Sequence, residues 1–180
     1  DKMRQLNLRN SIFIDITASG VVAEAYEEIL KETISVVTPN KIAATRSFAH
    51  YQLLKSTANK FKSQFLFETN VGAGLPVLST LSDLVKSGDR IIKIEAVLSG
   101  TLNFIFNNYN AKRSFVEVVK KAKKEGYTEP DPRLDLSGED VMRKILILAR
   151  ESGYQFDFED VVGNNFLPKI CQITKGEKDF

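Results

Sequence analysis

Cysteine is almost missing from this chain: Cys171 is the single one in 180 residues. A lone thiol builds neither a disulfide framework nor a cysteine metal site within one chain. An excess of charge of one sign is missing too. Lys and Arg number 25 against 23 Asp and Glu, a formal charge of +2, too small to argue for a nucleic-acid partner. The aromatics, 12 Phe and 5 Tyr with no Trp, are not set in basic stripes. No apolar run reaches the roughly 20 residues of a membrane span, and no signal-like segment opens the sequence. These absences give expectations of no membrane partner and a cytoplasmic location. An initiating Met is also absent, and "ITKGEKDF" closes the chain just after an apolar stretch, so both ends are expected to continue into something longer.

What is present is the balance of an ordinary globular protein, 43% apolar and 27% charged, long enough for one domain or two small ones. "SIFIDIT" (11–17) is a β-branched and aromatic run that stops at "ASG", which predicts a buried strand. "VVAEAYEEILKE" (21–32) repeats apolar residues at helical spacing, and "ISVVT" (34–38) predicts a second strand that Pro39 ends. Strand, helix and strand in this compass predict a right-handed parallel βαβ unit. A long helix from about Ile42 to Asn59 is expected to follow. "QFLFETNV" (64–71) reads as a strand, "VLSTLSDLVKSG" as a helix and "RIIKIEAVLSG" (90–100) as a half-buried strand. "TLNFIFNNYN", "SFVEVVKKAKKEG" with a left-handed cap at Gly126, and "GEDVMRKILILARESG" read as helices. The fold class expected is therefore α/β plus α+β. Residues 1–60 would be the C-terminal part of a Rossmann-like dinucleotide-binding domain, and 61–180 an α+β catalytic and dimerisation domain. "TASG" and "TPNK" stand beyond the strand ends, where open parallel sheets bind ligands.

"YTEPDPRLDLSGEDVMRK" (127–144) crowds Glu129, Asp131, Asp135, Glu139 and Asp140 ahead of Lys144. Ser137 is read as the helix N-cap, with Asp140 at the capping-box position, and an acid in a first turn is stabilised by the helix dipole with no catalytic role. Asp140 and Lys144, four residues apart, also satisfy the description of a surface pair worth ~0.3–0.5 kcal/mol. Yet both lie at the edge of the apolar arc of Val141, Ile145 and Leu148, with Arg143 and Arg150 expected on the solvent side. A half-desolvated lysine beside a carboxylate is a candidate proton donor, and acids on a proline-stiffened loop are candidate holders of an ammonium group. "ETNVGAGLP" (68–76) lacks the Lys and the spacing of a nucleotide loop. Its glycines permit either a tight strand-to-helix turn without an ion or carbonyls converging on a cation. "SGTLNF" (99–104) puts free amides at a helix start, suited to a carboxylate. In "TPNK", Asn40 caps a helix, and Lys41 is either solvated or functional. "KKAKKEG" reads as a solvated face, His50 as structural and Cys171 as a buried filler.

Taken together, "VVTPNK", "ETNVGAGLPVLSTLSDLVKSGDRI", "IEAVLSGTLNFIF", "EGYTEPDPRLDLSGEDVMRKILIL" and "ARESG" resemble homoserine dehydrogenase, including the dehydrogenase part of bifunctional aspartokinase–homoserine dehydrogenases. The blocks cover nearly all of residues 12–153. The resemblance implies reduction of L-aspartate 4-semialdehyde to L-homoserine with NADP or NAD, in threonine and methionine biosynthesis. It implies Lys144 as proton donor with Asp140 tuning it, and substrate binding by Glu129, Asp135 and Asp140. Gly100, Thr101 and Tyr127 would line the substrate pocket. It implies cofactor contacts at Thr17 and Lys41, and a monovalent cation (Na+) held at Glu68, Val71, Ala73 and Leu75, chiefly by backbone carbonyls. A homodimer and a fused aspartokinase domain are the implied partners. The family's Gly-rich first strand–turn–helix lies outside the sequence, so weak or no turnover is expected of this chain alone. The alternative is an oligomerisation module of a larger enzyme. Aspartate-semialdehyde dehydrogenase chemistry needs an activated cysteine, for which Cys171 has no setting.

Overall fold

In the computed structural model, which describes residues 2–6, 8–164 and 167, the chain begins α1 (Lys2–Leu6), β1 (Ile12–Ile14), α2 (Gly20–Glu24), α3 (Tyr26–Lys31) and β2 (Ser35–Val37). It continues α4 (Ile42–Thr45), α5 (Phe48–Phe61), β3 (Phe65–Leu66) and α6 (Val77–Lys86). Then come α7 (Gly100–Asn108), α8 (Phe115–Lys124), α9 (Pro132–Leu136) and α10 (Glu139–Glu151). Two compact units result, Asp1–Ile92 with Leu146–Val161, and Lys93–Ile145 with Val162–Phe180. Among the described residues no helix is long and apolar enough to cross a membrane.

In the first unit the strands form a parallel sheet in the order β1–β2–β3, with Phe13 opposite Val36 and Val36 opposite Phe65. Period-two alternation sends those three to one face, where Tyr26 of α3 meets Phe13 edge-on at 6.4 Å and Phe65 at 5.9 Å. Tyr26, Leu30, Val36 and Leu54 are fully buried there. Each such side chain contributes about 1.5–3 kcal/mol relative to exposure.

The helix expected over 42–59 is two helices. Arg46 is extended (ψ −174°), and Ser47 accepts the His50 N–H to cap α5. A serine cap competes with helix continuation because its hydroxyl satisfies an amide that the previous turn would otherwise bind. The 21–32 helix likewise breaks at Ala25, whose N–H turns back to the Val22 carbonyl (3.1 Å).

The second unit is helical in its described residues. Ile105, Val118, Val119, Ala122 and Leu136 form its buried core, flanked by Leu102, Phe104 and Phe115. Ser114 and Glu117 form a capping box at the start of α8. Gly126 (φ +78°) ends α8 as expected: its N–H bonds the Lys123 carbonyl, and that of Tyr127 bonds the Ala122 carbonyl at 2.9 Å. The strand expected over 90–100 is not formed. Residues 90–99 carry no ladder among the described residues, and Ile92 and Val97 are exposed. Alternation predicts a face, but a strand exists only with a neighbour to bond, and none of the described residues supplies one.

Candidate functional site

The acidic stretch resolves into locally matched groups. Asp131 caps α9 and takes a two-pronged bond from Arg133, at 2.9 Å from Nε and 2.6 Å from Nη2. The Arg133 hydrogen bonds hold its carboxyl below the usual range against the opposing effect of burial. Glu139 pairs with Arg143 one turn on. Asp135 accepts the Thr101 hydroxyl (3.0 Å) and the Glu129 N–H (2.9 Å). Asp140 pairs with Lys144 at 2.7 Å. Glu129 differs from the other four: its carboxylate is exposed and has no partner among the described residues.

Lys144 is the better-sheltered member of its pair, its side chain 20% exposed against 50% for Asp140. Besides Asp140, its Nζ donates to the Leu98 carbonyl at 2.8 Å. An ammonium has three donors, so one remains without an acceptor among the described residues. The helix start differs from the expected one. Ser137 ends α9, donating to the Leu134 carbonyl and accepting the Glu139 N–H, while Gly138 (φ +75°) accepts the first helical N–H, that of Met142. Only Ser137 and Gly138 separate the two helices, and the sharp turn between them takes Gly138 into the left-handed region, which glycine enters without strain.

Gly100 opens α7 behind Ser99, whose hydroxyl accepts the Leu102 N–H. Thr101 is buried, and its single hydroxyl proton faces two acceptors, the Asp135 carboxylate and the Tyr127 carbonyl. Tyr127 remains half exposed. Asp135, Thr101, Tyr127 and the backbone of Glu129 thus form one connected cluster, and Asp140 with Lys144 forms a second within the same unit.

In the first unit, Thr17 follows β1 and Lys41 precedes α4, both beyond the carboxyl ends of the parallel strands. They flank a buried polar knot that the sequence reading missed. Asp15 accepts the Tyr26 hydroxyl, the Thr17 N–H (2.8 Å) and the Asn40 side-chain amide (3.1 Å), and Thr38 joins from β2. Burial raises the Asp15 pKa, but the bonds from Tyr26, Thr17 and Asn40 prevail and leave it below the ordinary carboxylate value. The folded state therefore binds this proton more weakly than the unfolded one. The Asp15 contribution is complete above about pH 3.9 and is lost as pH falls through the lower folded value. Acid denaturation followed by circular dichroism is expected to show this, and Asp15→Asn should flatten the stability profile below about pH 4. An unchanged profile would exclude the assignment.

The loop after β3 contains the four expected cation residues. Glu68 is engaged as a remote helix cap, its two carboxylate oxygens accepting the Leu78 and Ser79 N–H groups at 2.9 Å each. Gly72 and Ala73 are consecutive left-handed residues (φ +85° and +52°), and a Cβ on Gly72 would strike the Val77 side chain. The carbonyls of Val71 and Ala73 take no hydrogen bond among the described residues, while those of Glu68 and Leu75 each accept one backbone N–H. No cluster of three His, Cys, Asp or Glu side chains suited to a metal occurs among the described residues. Asn70 is fully buried, and with its amide nitrogen turned to the carbonyls it donates to Pro39 at 2.7 Å, tying this loop to β2.

Arg150 overturns a sequence expectation. It was placed on the solvent side of its helix, and it is buried, with its guanidinium bonded to the carbonyls of Ala44 (2.9 Å), Arg46 (2.7 Å) and Phe156 (2.8 Å) and to Asp157 (3.2 Å). Helical periodicity shows which residues share a face, not which faces are later covered. Of the remaining candidates, His50 is structural in its setting: burial first, then Arg46, lowers its pKa, and Nε2 is buried without a hydrogen-bond partner among the described residues. Cys171 lies outside the described residues.

Comparison with known proteins adds the following. A family model described as homoserine dehydrogenase matches residues 76–177, and one described as the NAD binding domain of homoserine dehydrogenase matches residues 1–68. Bifunctional aspartokinase/homoserine dehydrogenase 1 of Arabidopsis thaliana is 46% identical over 171 residues, covering 95% of this chain and 19% of that protein. Homoserine dehydrogenase of Schizosaccharomyces pombe is 47% identical, covering 79% of this chain and 39% of that one. Among solved structures, a hyperthermophilic archaeal homoserine dehydrogenase mutant in complex with NADPH superposes with a TM-score of 0.72 at 30% identity, covering 80% and 44% of the two chains. The chain thus spans less than half the length of each of these relatives.

Proposed function

The chain belongs to the homoserine dehydrogenase family, and from that premise we propose that it serves the NAD(P)H-dependent reduction of L-aspartate 4-semialdehyde to L-homoserine. The observation that carries the proposal is the state of two groups in 127–144. Four of its carboxylates are matched locally, while among the described residues the Glu129 carboxylate has no partner and Lys144 keeps one N–H without an acceptor. A substrate with an ammonium group at one end and a carbonyl at the other uses both. Glu129 takes the ammonium, and Asp135, itself bonded by the Thr101 hydroxyl, accepts the Glu129 N–H and so holds the backbone on which Glu129 stands. Lys144 holds its proton at the aldehyde oxygen and neutralises the alkoxide as it forms. Asp140 and the Leu98 carbonyl keep the lysine aimed. The start of α7 at Gly100 and Thr101 receives the substrate carboxylate.

The nicotinamide cofactor supplies the hydride when bound. Thr17 and Lys41 are the residues of this chain that would hold it, supported by their place beyond the strand ends. Residues 1–60 then act as part of the dinucleotide-binding domain and 61–180 as catalytic domain. The loop 68–75 suits a monovalent cation such as sodium. The open carbonyls of Val71 and Ala73 support this, and those of Glu68 and Leu75 each retain a second lone pair. An adjoining aspartokinase domain, as in the names of several relatives, belongs to the same proposal.

Binding of L-homoserine to the chain, measured by titration calorimetry, tests the reading without requiring turnover. Glu129→Gln is expected to raise the dissociation constant by about tenfold or more, the worth of a charge-assisted hydrogen bond. An affinity unchanged by that substitution would remove Glu129 from the site.

A further inference from the structure

Resting on that functional reading, we propose that Phe104, which nothing above places in the site, is a positioning residue that acts through Tyr127 to hold the Tyr127–Glu129 strap for the substrate. Tyr127 is half exposed, and a half-exposed tyrosine ordinarily samples several rotamers. Here it is fixed at three points. Its N–H is bound by the α8 terminus at the Ala122 carbonyl. Its own carbonyl accepts the Thr101 hydroxyl. Its ring lies against that of Phe104, with centroids 4.2 Å apart and planes 20° from parallel.

Thr101 and Phe104 are three residues apart on α7, so one helix face holds both the backbone and the ring of Tyr127. Phe104 is itself seated, packed on the core of Ile105 and Val118 with the Lys121 ammonium 5.5 Å from its ring centre. The hold passes down the strap. One Asp135 oxygen shares the single Thr101 hydroxyl proton with the Tyr127 carbonyl, and the other takes the Glu129 N–H. A strap ordered before binding loses less entropy when the ligand arrives, which is why a residue without ligand contact sets affinity.

Phe104→Leu keeps an apolar side chain against the core and removes the flat ring. It is expected to raise the dissociation constant for L-homoserine about five- to tenfold, Phe104→Tyr should restore it, and in a Tyr127→Ala background Phe104→Leu should have no further effect on affinity. Melting curves of the same variants separate packing from positioning. Weakened binding that Phe104→Tyr does not rescue, or that persists undiminished without the Tyr127 ring, is a packing effect and overturns the inference. Undisturbed affinity in Phe104→Leu overturns it as well, while Glu129→Gln still reports on the site. Failure of the unsubstituted chain to bind L-homoserine sinks the functional reading and the clamp with it.

Discussion

Lys144→Ala, in this chain completed with the segments its longer relatives carry, is expected to lower the rate of NADPH-dependent L-aspartate 4-semialdehyde reduction about 10²- to 10⁴-fold relative to the same protein with Lys144, the range for loss of a positioned general acid. The same substitution should disturb the fold only modestly. It breaks a pair one helical turn apart with a half-exposed carboxylate, worth ~0.3–0.5 kcal/mol, and removes the bond from Lys144 to the Leu98 carbonyl. Separation of the two effects is the test, since a rate loss accompanied by an equal loss of stability would mark Lys144 as structural. Lys144→Arg sharpens it. Guanidinium retains the charge and can reach Asp140, but it holds its proton far more tightly than an ammonium and is a poor proton donor, so most of the rate loss should remain. Recovery of near-normal turnover by arginine would rule out proton donation and leave electrostatic stabilisation alone.

Arg150→Met is expected to destabilise the first unit by about 3–5 kcal/mol, the cost of removing one member of a buried, hydrogen-bonded charge cluster. The Arg150 side chain is fully buried, and it satisfies the carbonyls of Ala44, Arg46 and Phe156 while lying 5.7 and 5.4 Å from the ring centres of Phe48 and Tyr51. Two of those carbonyls are free only because the chain breaks its helix at Arg46, so the guanidinium completes the end of α4. Asp157 is engaged three times, by Arg150, by the Phe48 N–H at 2.6 Å and by the Asp160 N–H that it caps. Methionine fills much of the volume but leaves these acceptors unpaired. Arg150→Lys should recover only part of the loss, because one ammonium cannot span carbonyls on three sides. Urea unfolding checks both. A change below about 1 kcal/mol for Arg150→Met would mean that water replaces the guanidinium.

Both predictions lie on α10, and they divide what the amino-acid order shows from what it conceals. The family blocks, the parallel strands, the acidic stretch and the Asp–Lys pair were legible because each is a local pattern: a period of two, a period of 3.6, or a fixed spacing. The break at Ser47 was half legible, since serine is a preferred cap, but nothing local shows that Asp157, over a hundred residues on, takes the next amide. The same distance hid the function of Arg150, two of whose acceptors lie 104 and 106 residues away.

From its sequence alone this protein had its family, most of its helices, its parallel strands and the candidate residues for holding an ammonium or a proton, because those depend on residue chemistry and short spacings. Tertiary structure alone decided which of five carboxylates has no partner among the described residues, which lysine N–H lacks an acceptor among them, and which arginine is interior. Those are questions of partnership, and a partner is found in space, where residues far apart in the chain satisfy each other's charges and hydrogen bonds.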